Sequence, residues 1–327
     1  MPPMNTNRRD FLKLTAAAAA FSGVRGAWAA IKDLLVSPIR GAAADSVLKL
    51  TPLELRVGAA KPFKALHVSD THFNFWDATD YCGSERRNDH FKRRWVRFPQ
   101  ALNSFYATID YAAEKRLPIL HTGDLIDWNS CGNRRVLAHN LKGLDFFYAL
   151  GNHEYHTAVR GEDSTMTNAD ARALLQKIMP NDLTVASRVV NGVNFVAFDD
   201  GEVNLRDETV GGVKAEFGKG LPVVLLCHIP PFYPREFLEN KLAAICADKR
   251  RLGVAEEDLP AQLSSPIQDS HDERTRAFYD WLRGQRQLKA ILCGHTHIEE
   301  RGAFSETADM IVAGGNFEGC GYEIEFV

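Results

Sequence analysis

A chain of 327 residues, 45% hydrophobic and 25% charged, has the composition of a soluble globular protein and suits one large α/β domain or two small ones. Its formal net charge is −3, and it is more negative without the first residues, where Arg8, Arg9, Lys13 and Arg25 outnumber Asp10. An acidic body excludes a non-specific nucleic-acid binder, which needs a basic footprint.

Residues 1–29 read as a targeting segment rather than as fold. Asn7-Arg8-Arg9-Asp10-Phe11-Leu12-Lys13 is a twin arginine followed by Phe-Leu-Lys. A mildly apolar, alanine-rich stretch covers 14–24, and Ala27-Trp28-Ala29 matches a small-residue cleavage site. The twin arginine in that frame points to the Tat export machinery as a partner and to a periplasmic or secreted location. The alternatives are an uncleaved signal or a membrane anchor. The apolar stretch is shorter than the roughly 20 residues a spanning helix needs, and no cysteine lies close enough for a lipid anchor. Residues 30–60 are a lead-in, with a second small-residue run at Ala42-Ala43-Ala44 that reads as leader, cleavage option or strand. The folded domain is expected over 61–327.

An apolar run at 65–69 predicts a strand that delivers Asp70-Thr71-His72. The polar, aromatic-rich stretch 73–91 reads as a loop insertion. The basic residues Arg86, Arg87, Lys92, Arg93 and Arg94 read as a solvated helix face, with a phosphate-steering rim as the other option. A helix follows over 98–115, with Phe105, Ile109 and Ala112 on one face. A strand at 118–122 ends on Gly123-Asp124-Leu125-Ile126-Asp127. The next, at 146–150, ends on Gly151-Asn152-His153-Glu154. Asn168 is placed to cap a helix over 169–178, which Pro180 stops. Strands at 193–198 and 223–227 come next, the second delivering His228. Residues 230–271, with Pro231, Pro234, Pro260 and Pro266, form a second insertion. Both insertions read as walls or a lid over a site, or as surface decoration. A helix over 274–286 precedes a strand at 290–293 that ends on Gly294-His295-Thr296-His297. Strands at 310–313 and 322–326 close the chain. Alternation implies parallel β-α-β units, and the helix-free tail implies a sheet that ends mixed.

Six cysteines are compatible with an oxidising compartment. Cys227 and Cys293 each end an apolar run and read as buried thiols. Cys82 and Cys131 fall in loops on the ligand-bearing edge, so a disulfide between them is expected; two free thiols in non-reduced peptide mass spectra would remove it.

The motif residues share one chemistry. Asp70 and His72, two apart, fall on one face of an extended strand and can reach one ion. A carboxylate such as Asp124 can bridge two cations. Asn152 offers a neutral oxygen, and His228, His295 and His297 offer imidazoles. Mixed oxygen and imidazole donors suit Mn, Fe or Zn rather than Ca or a thiolate cluster.

In order, type and spacing, the segments from Asp70 to His297 resemble the calcineurin-like metallophosphoesterase superfamily. The resemblance implies an α/β fold of two facing mixed β-sheets flanked by helices, a four-layer sandwich with the site at the strand ends. It implies two divalent or trivalent metal ions, one held by Asp70, His72, Asp124 and His297, the other by Asp124, Asn152, His228 and His295. It implies catalytic roles for His153, which meets the phosphoryl or leaving group, and for Asp127, which orients it. Asp127 as a helix N-terminal cap is the other reading. Glu154 is expected to be structural, His67 and His121 to be core or supporting residues, and His90 and His156 to be substrate contacts. The implied activity is hydrolysis of phosphate mono- or diesters of small molecules by a metal-bridging hydroxide, with a small phosphorylated substrate as partner. The rival is a non-catalytic exported protein that binds a phosphorylated ligand through retained metals. Asp127 stands where purple acid phosphatases carry a tyrosine, and Trp128-Asn129 where serine/threonine protein phosphatases carry Arg-Gly. Trp76, Tyr81, Phe232 and Tyr233 could stack a base or anchor loops.

Overall fold

The computed structural model describes residues 47–75, 85–157, 166–232 and 267–327, with a few residues between 239 and 256. The leader, Trp76, Tyr81, Cys82, Tyr233 and most of the second insertion fall outside the described residues, and the expected Cys82–Cys131 pairing falls with them.

The described chain builds two sheets. The first contains β1 (Lys49–Leu55), β2 (Phe63–Val68), β3 (Ile119–Thr122), β4 (Phe146–Ala149) and the last strand, β11 (Cys320–Phe326). The second contains β5 (Val185–Val190), β6 (Val193–Phe198), β7 (Val223–Leu226), β8 (Leu288–Cys293), β9 (Glu300–Ala303) and β10 (Asp309–Val312). Their orders are β1-β11-β2-β3-β4 and β5-β6-β7-β8-β10-β9. β2, β3 and β4 run parallel, as do β6, β7, β8 and β10. β11 lies antiparallel to β2, and β5 and β9 are antiparallel edges, so both sheets are mixed. Residues 49–55 of the lead-in therefore supply an edge strand, paired in parallel with β11.

Every residue of β3, β4, β6 and β7 is buried, as continuous apolar strands covered on both faces require. One apolar layer joins the sheets face to face, with Leu120, Phe147 and Phe326 from the first meeting Phe195, Leu226 and Leu292 from the second. The outer face of the first sheet packs on α2 (Ala101–Lys115) and α3 (Cys131–Asn140), through Phe105 and Leu137. The outer face of the second packs on α5 (Asp207–Phe217) and α6 (Glu273–Arg283), through Val213, Phe217, Phe278 and Leu282. The result is the expected four-layer α/β sandwich. No helix among the described residues is long and apolar enough to cross a membrane.

Local differences from the sequence expectations have local causes. The helix expected over 98–115 starts three residues later, as α2, and a separate helix, α1 (Glu85–Arg97), precedes it. Pro99 disfavours helical backbone at Phe98 and divides them. Part of the first insertion is therefore helix. The helix α4 (Asn168–Gln176) is capped by Thr167, not Asn168: the Thr167 hydroxyl accepts from the Asp170 N–H, and the Asp170 carboxylate accepts from the Thr167 N–H, a reciprocal cap.

Candidate metal centre

The parallel strands of both sheets end at one edge, where ligands collect in open α/β folds. The loops after β2 and β3 are tied together by main-chain bonds from Asp70 N–H to Gly123 C=O (3.0 Å) and from His72 N–H to Asp124 C=O (2.9 Å). In the second sheet the loops after β7 and β8 are joined by Gly294 N–H to His228 C=O at 3.0 Å, and His295 N–H ties that sheet to the first by donating to the Asp70 carboxylate at 2.8 Å.

The backbone here is strained. Asp70, His72, Asp124, His295 and His297 all have positive φ, between 48° and 70°. That left-handed region is uncommon for residues with a side chain and clusters at functional sites. The expectation that Asp70 and His72 share the face of an extended strand is thus corrected. β2 ends at Val68, and two left-handed turns, not the pleat, aim the side chains. Close packing sets the glycines. A Cβ on Gly294 would sit 1.8 Å from the Ser69 hydroxyl and 2.4 Å from the Asp70 carboxylate, and one on Gly123 would meet the His228 ring at 2.6 Å.

The seven expected ligands converge as two overlapping groups. In the first, His72 Nε2 lies 3.0 Å from His297 Nε2 and 3.7 Å from Asp70 Oδ1, which is 3.3 Å from His297 Nε2. In the second, His228 Nε2 lies 3.1 Å from Asn152 Oδ1 and 3.2 Å from His295 Nδ1, which is itself 3.1 Å from Asn152 Oδ1. Asp124 Oδ2 stands between them, 3.6 Å from His72 Nε2 and 3.2 Å from His228 Nε2. Asp70-His72-His297 and Asp124-His228-His295 are each compact enough to hold a metal ion.

Hydrogen bonds at the far side of the rings decide which nitrogens face inward. His228 Nδ1 donates to the Thr122 carbonyl at 2.8 Å. His72 Nδ1 donates to the Asp127 carboxylate at 3.1 Å. Each neutral ring then presents an Nε2 lone pair to the cluster. Lone pairs of imidazole, carboxylate and amide oxygen thus face one another at about hydrogen-bond distance, and buried Asp70 Oδ1 has no hydrogen-bond partner. Cations fit this donor set. Burial works against an imidazolium at either ring, but the surrounding carboxylates prevail: Asp124 pushes His228 up to about 10, and Asp127 and Asp70 push His72 up to about 9. Protons and metal ions therefore compete for the same lone pairs.

His153 stands beside the clusters. Its Nδ1 lies 3.0 Å from the Asp127 carbonyl and 3.2 Å from Asp127 Oδ1. Its Nε2 points inward, 4.0 Å from Asp124 Oδ2, and with His72 and Asp124 it forms a third group within metal reach. Asp127 caps no helix; Ser130 caps α3, accepting from the Asn133 N–H at 2.9 Å.

Three charged groups support the site without a local pattern that marks their roles. Glu154 is fully buried and accepts the N–H groups of Asp124, Leu125, Ile126 and Gly151 at 2.8–3.2 Å. Leaving even one such donor unsatisfied costs on the order of 1–3 kcal/mol, so this carboxylate shapes the loop around Asp124. Asp200, buried after β6, accepts the His228 and Ile229 N–H groups, each at 2.9 Å, and burial pushes it up to about 7. The paired acids Asp199-Asp200 at a strand end were its signal. Arg94 donates through its guanidinium to both oxygens of Asp127. The basic cluster on α1 therefore divides: Lys92 and Arg93 are exposed, while Arg94 turns inward.

The remaining candidates scatter. His67 and His121 are buried on their strands, and burial lowers both to about 3. His67 meets the Thr122 hydroxyl and His121 the Thr71 hydroxyl, each at 3.0 Å. The His156 ring lies 4.4 Å from that of His153, and the His90 ring 5.1 Å from Trp128. Phe232 lies under the Arg283 guanidinium.

A family model described as calcineurin-like phosphoesterase matches residues 63–299. No curated protein sequence gives a significant match. Among solved structures, a dimetal phosphatase from Danio rerio is 14% identical with a TM-score of 0.44, over 78% of this chain and 88% of that one. A putative 5′-nucleotidase from Staphylococcus aureus is 12% identical with a TM-score of 0.41, over 78% of this chain and 49% of that one. Phosphopantetheinyl hydrolase from Mycobacterium tuberculosis is 15% identical with a TM-score of 0.38, over 78% of this chain and 90% of that one.

Proposed function

Because the chain belongs to the calcineurin-like phosphoesterase family, we propose that it hydrolyses phosphate mono- or diesters of small molecules with two metal ions. The observation that carries this reading is the position of Asp124, whose Oδ2 lies between His72 Nε2 and His228 Nε2. We assign Asp70, His72, Asp124 and His297 to one ion, and Asp124, Asn152, His228 and His295 to the other. Oxygen and imidazole donors suit Mn, Fe or Zn. When bound, the two cations neutralise the phosphoryl oxygens and acidify the attacking water.

The protein's own groups do the rest. Asp127 holds His153 through Nδ1, which leaves His153 Nε2 to meet the phosphoryl group or the departing oxygen. Glu154 fixes the backbone that carries Asp124, and Asp200 fixes the backbone that carries His228.

Metal-stripped protein, reloaded with Mn or Zn, is expected to hydrolyse a chromogenic phosphomonoester or phosphodiester, and the ratio of the two rates sets the substrate class. Two ions bound per chain with no turnover of either ester would favour the rival, a metal-bearing protein that only binds a phosphorylated ligand.

The twin-arginine leader supports Tat export to the periplasm or beyond. Replacing Arg8 and Arg9 with lysine is expected to leave the protein inside the cell. Unchanged export of that variant would refute the route.

A further inference from the structure

We propose that Arg94 is a positioning residue of this site, fixing the Asp127 carboxylate in the one orientation that aligns His72 and His153 together. Its expected effect on rate rests on the hydrolase reading; the contacts that motivate it do not.

The Asp127 side chain is 0% exposed. Its Oδ1 accepts from His72 Nδ1 at 3.1 Å and lies 3.2 Å from His153 Nδ1, which also reaches the Asp127 main-chain carbonyl at 3.0 Å. One oxygen can serve both rings only at a particular rotation about the Cβ–Cγ bond. That rotation is the soft degree of freedom of an aspartate, because terminal torsions of this type are broad. Arg94 removes it. Its Nε donates to Oδ2 at 2.6 Å and its Nη2 closes on Oδ1. A planar fork engaging both oxygens fixes the carboxylate plane, which the single rotating ammonium of a lysine would not do.

Arg94 is itself braced. Its guanidinium carbon lies 4.9 Å from the centroid of the Phe98 ring. That ring stacks on the His72 imidazole, at 4.6 Å between centroids and 7° between planes. Phe98 directly follows α1, and its N–H closes the last turn on the Arg94 carbonyl at 3.0 Å, which sets the two side chains side by side. The end of α1 thus delivers two coordinated contacts: Phe98 on the face of His72, and Arg94 on the carboxylate that holds its Nδ1. Arg94 is 17% exposed at its side chain, unlike exposed Lys92 and Arg93 on the same helix. Withdrawing a guanidinium from water is costly unless it is paired and hydrogen-bonded, and the Asp127 fork supplies that pairing.

The test uses Arg94→Gln and Arg94→Lys, with Arg94→Ala for rescue. In the metal-loaded enzyme, kcat is expected to fall about 10- to 100-fold, the range for groups that orient metal ligands, with KM unchanged. Lysine should not restore the rate, whereas added guanidinium ion should restore part of it in Arg94→Ala. Independently of turnover, nitrogen-15 histidine spectra of the metal-free protein should show the Nδ1–H resonances of His72 and His153 shifted or exchange-broadened in Arg94→Gln, as in Asp127→Asn. A raised KM with kcat intact would overturn the proposal and make Arg94 a direct phosphoryl contact. Unchanged imidazole resonances would overturn it as well. Should wild-type protein turn over neither ester, the hydrolase reading fails, and the spectra still decide the role of Arg94. Should Arg94→Gln not fold, the spectra of Arg94→Lys decide it.

Discussion

Asp124→Asn is expected to lower the metal content below two ions per chain and to reduce activity by several orders of magnitude. The substitution keeps the side chain's shape and removes its charge. Burial opposes that charge, yet His228 and His153 nearby hold the carboxyl well below the usual carboxylate range. The carboxylate has two tasks. Oδ1 accepts the His153 N–H at 2.9 Å, and Oδ2 faces both His72 and His228. An amide oxygen can keep the first bond. An amide nitrogen in the second position presents N–H groups to imidazole lone pairs, which satisfies them without a cation. The variant should therefore fold while binding metal poorly. His295→Ala is the useful comparison, because His295 belongs to the Asp124-His228 group alone and its removal should cost chiefly one ion. Metal analysis by plasma mass spectrometry beside turnover gives both readings. Full activity in both variants would refute the site assignment.

The sequence made the strand ends legible because an apolar run followed by a chemically unusual cluster is a local signal. Asp70, His72, Asp124, Asn152, His228, His295 and His297 all follow such runs, and their side chains converge at one edge. How they converge was not legible. Five of them rely on left-handed backbone, which residue type does not announce outside glycine and asparagine. β1 was ambiguous because its partner β11 lies at the other end of the chain, and a pairing that distant leaves no local pattern. α3 has only Val136 and Leu137 as large buried apolar residues, too few to set a helical period. Arg94 is indistinguishable in sequence from its basic neighbours, because one-dimensional charge runs do not show which member turns inward. Asp200 and Glu154 act through backbone N–H groups of other segments, and such contacts depend wholly on tertiary placement.

His153→Ala is expected to keep both metal ions and to lose about 10²- to 10⁴-fold in kcat, the usual contribution of a positioned acid or base. The contrary case has to be faced, because His153 lies within metal reach of His72 and Asp124. Two features separate the roles. The His153 main-chain N–H, not its ring, makes the 2.9 Å bond to Asp124 Oδ1, and alanine retains it. The ring is held from behind by Asp127, through Nδ1 to the carbonyl and carboxylate oxygens, so its removal frees no part of the Asp70-His297 or His228-His295 pairs. Loss of metal in His153→Ala would make the ring a ligand and overturn the catalytic assignment. Retained metal with lost rate leaves two chemical roles, which leaving groups can distinguish. A proton donor matters most when the departing oxygen is a poor leaving group, so the defect should be larger for an alkyl ester than for a nitrophenyl ester. A group that stabilises charge on the phosphoryl oxygens acts before the leaving group is chosen, so the two esters should suffer equally. The ratio of the two defects in kcat therefore identifies what His153 Nε2 touches at the transition state.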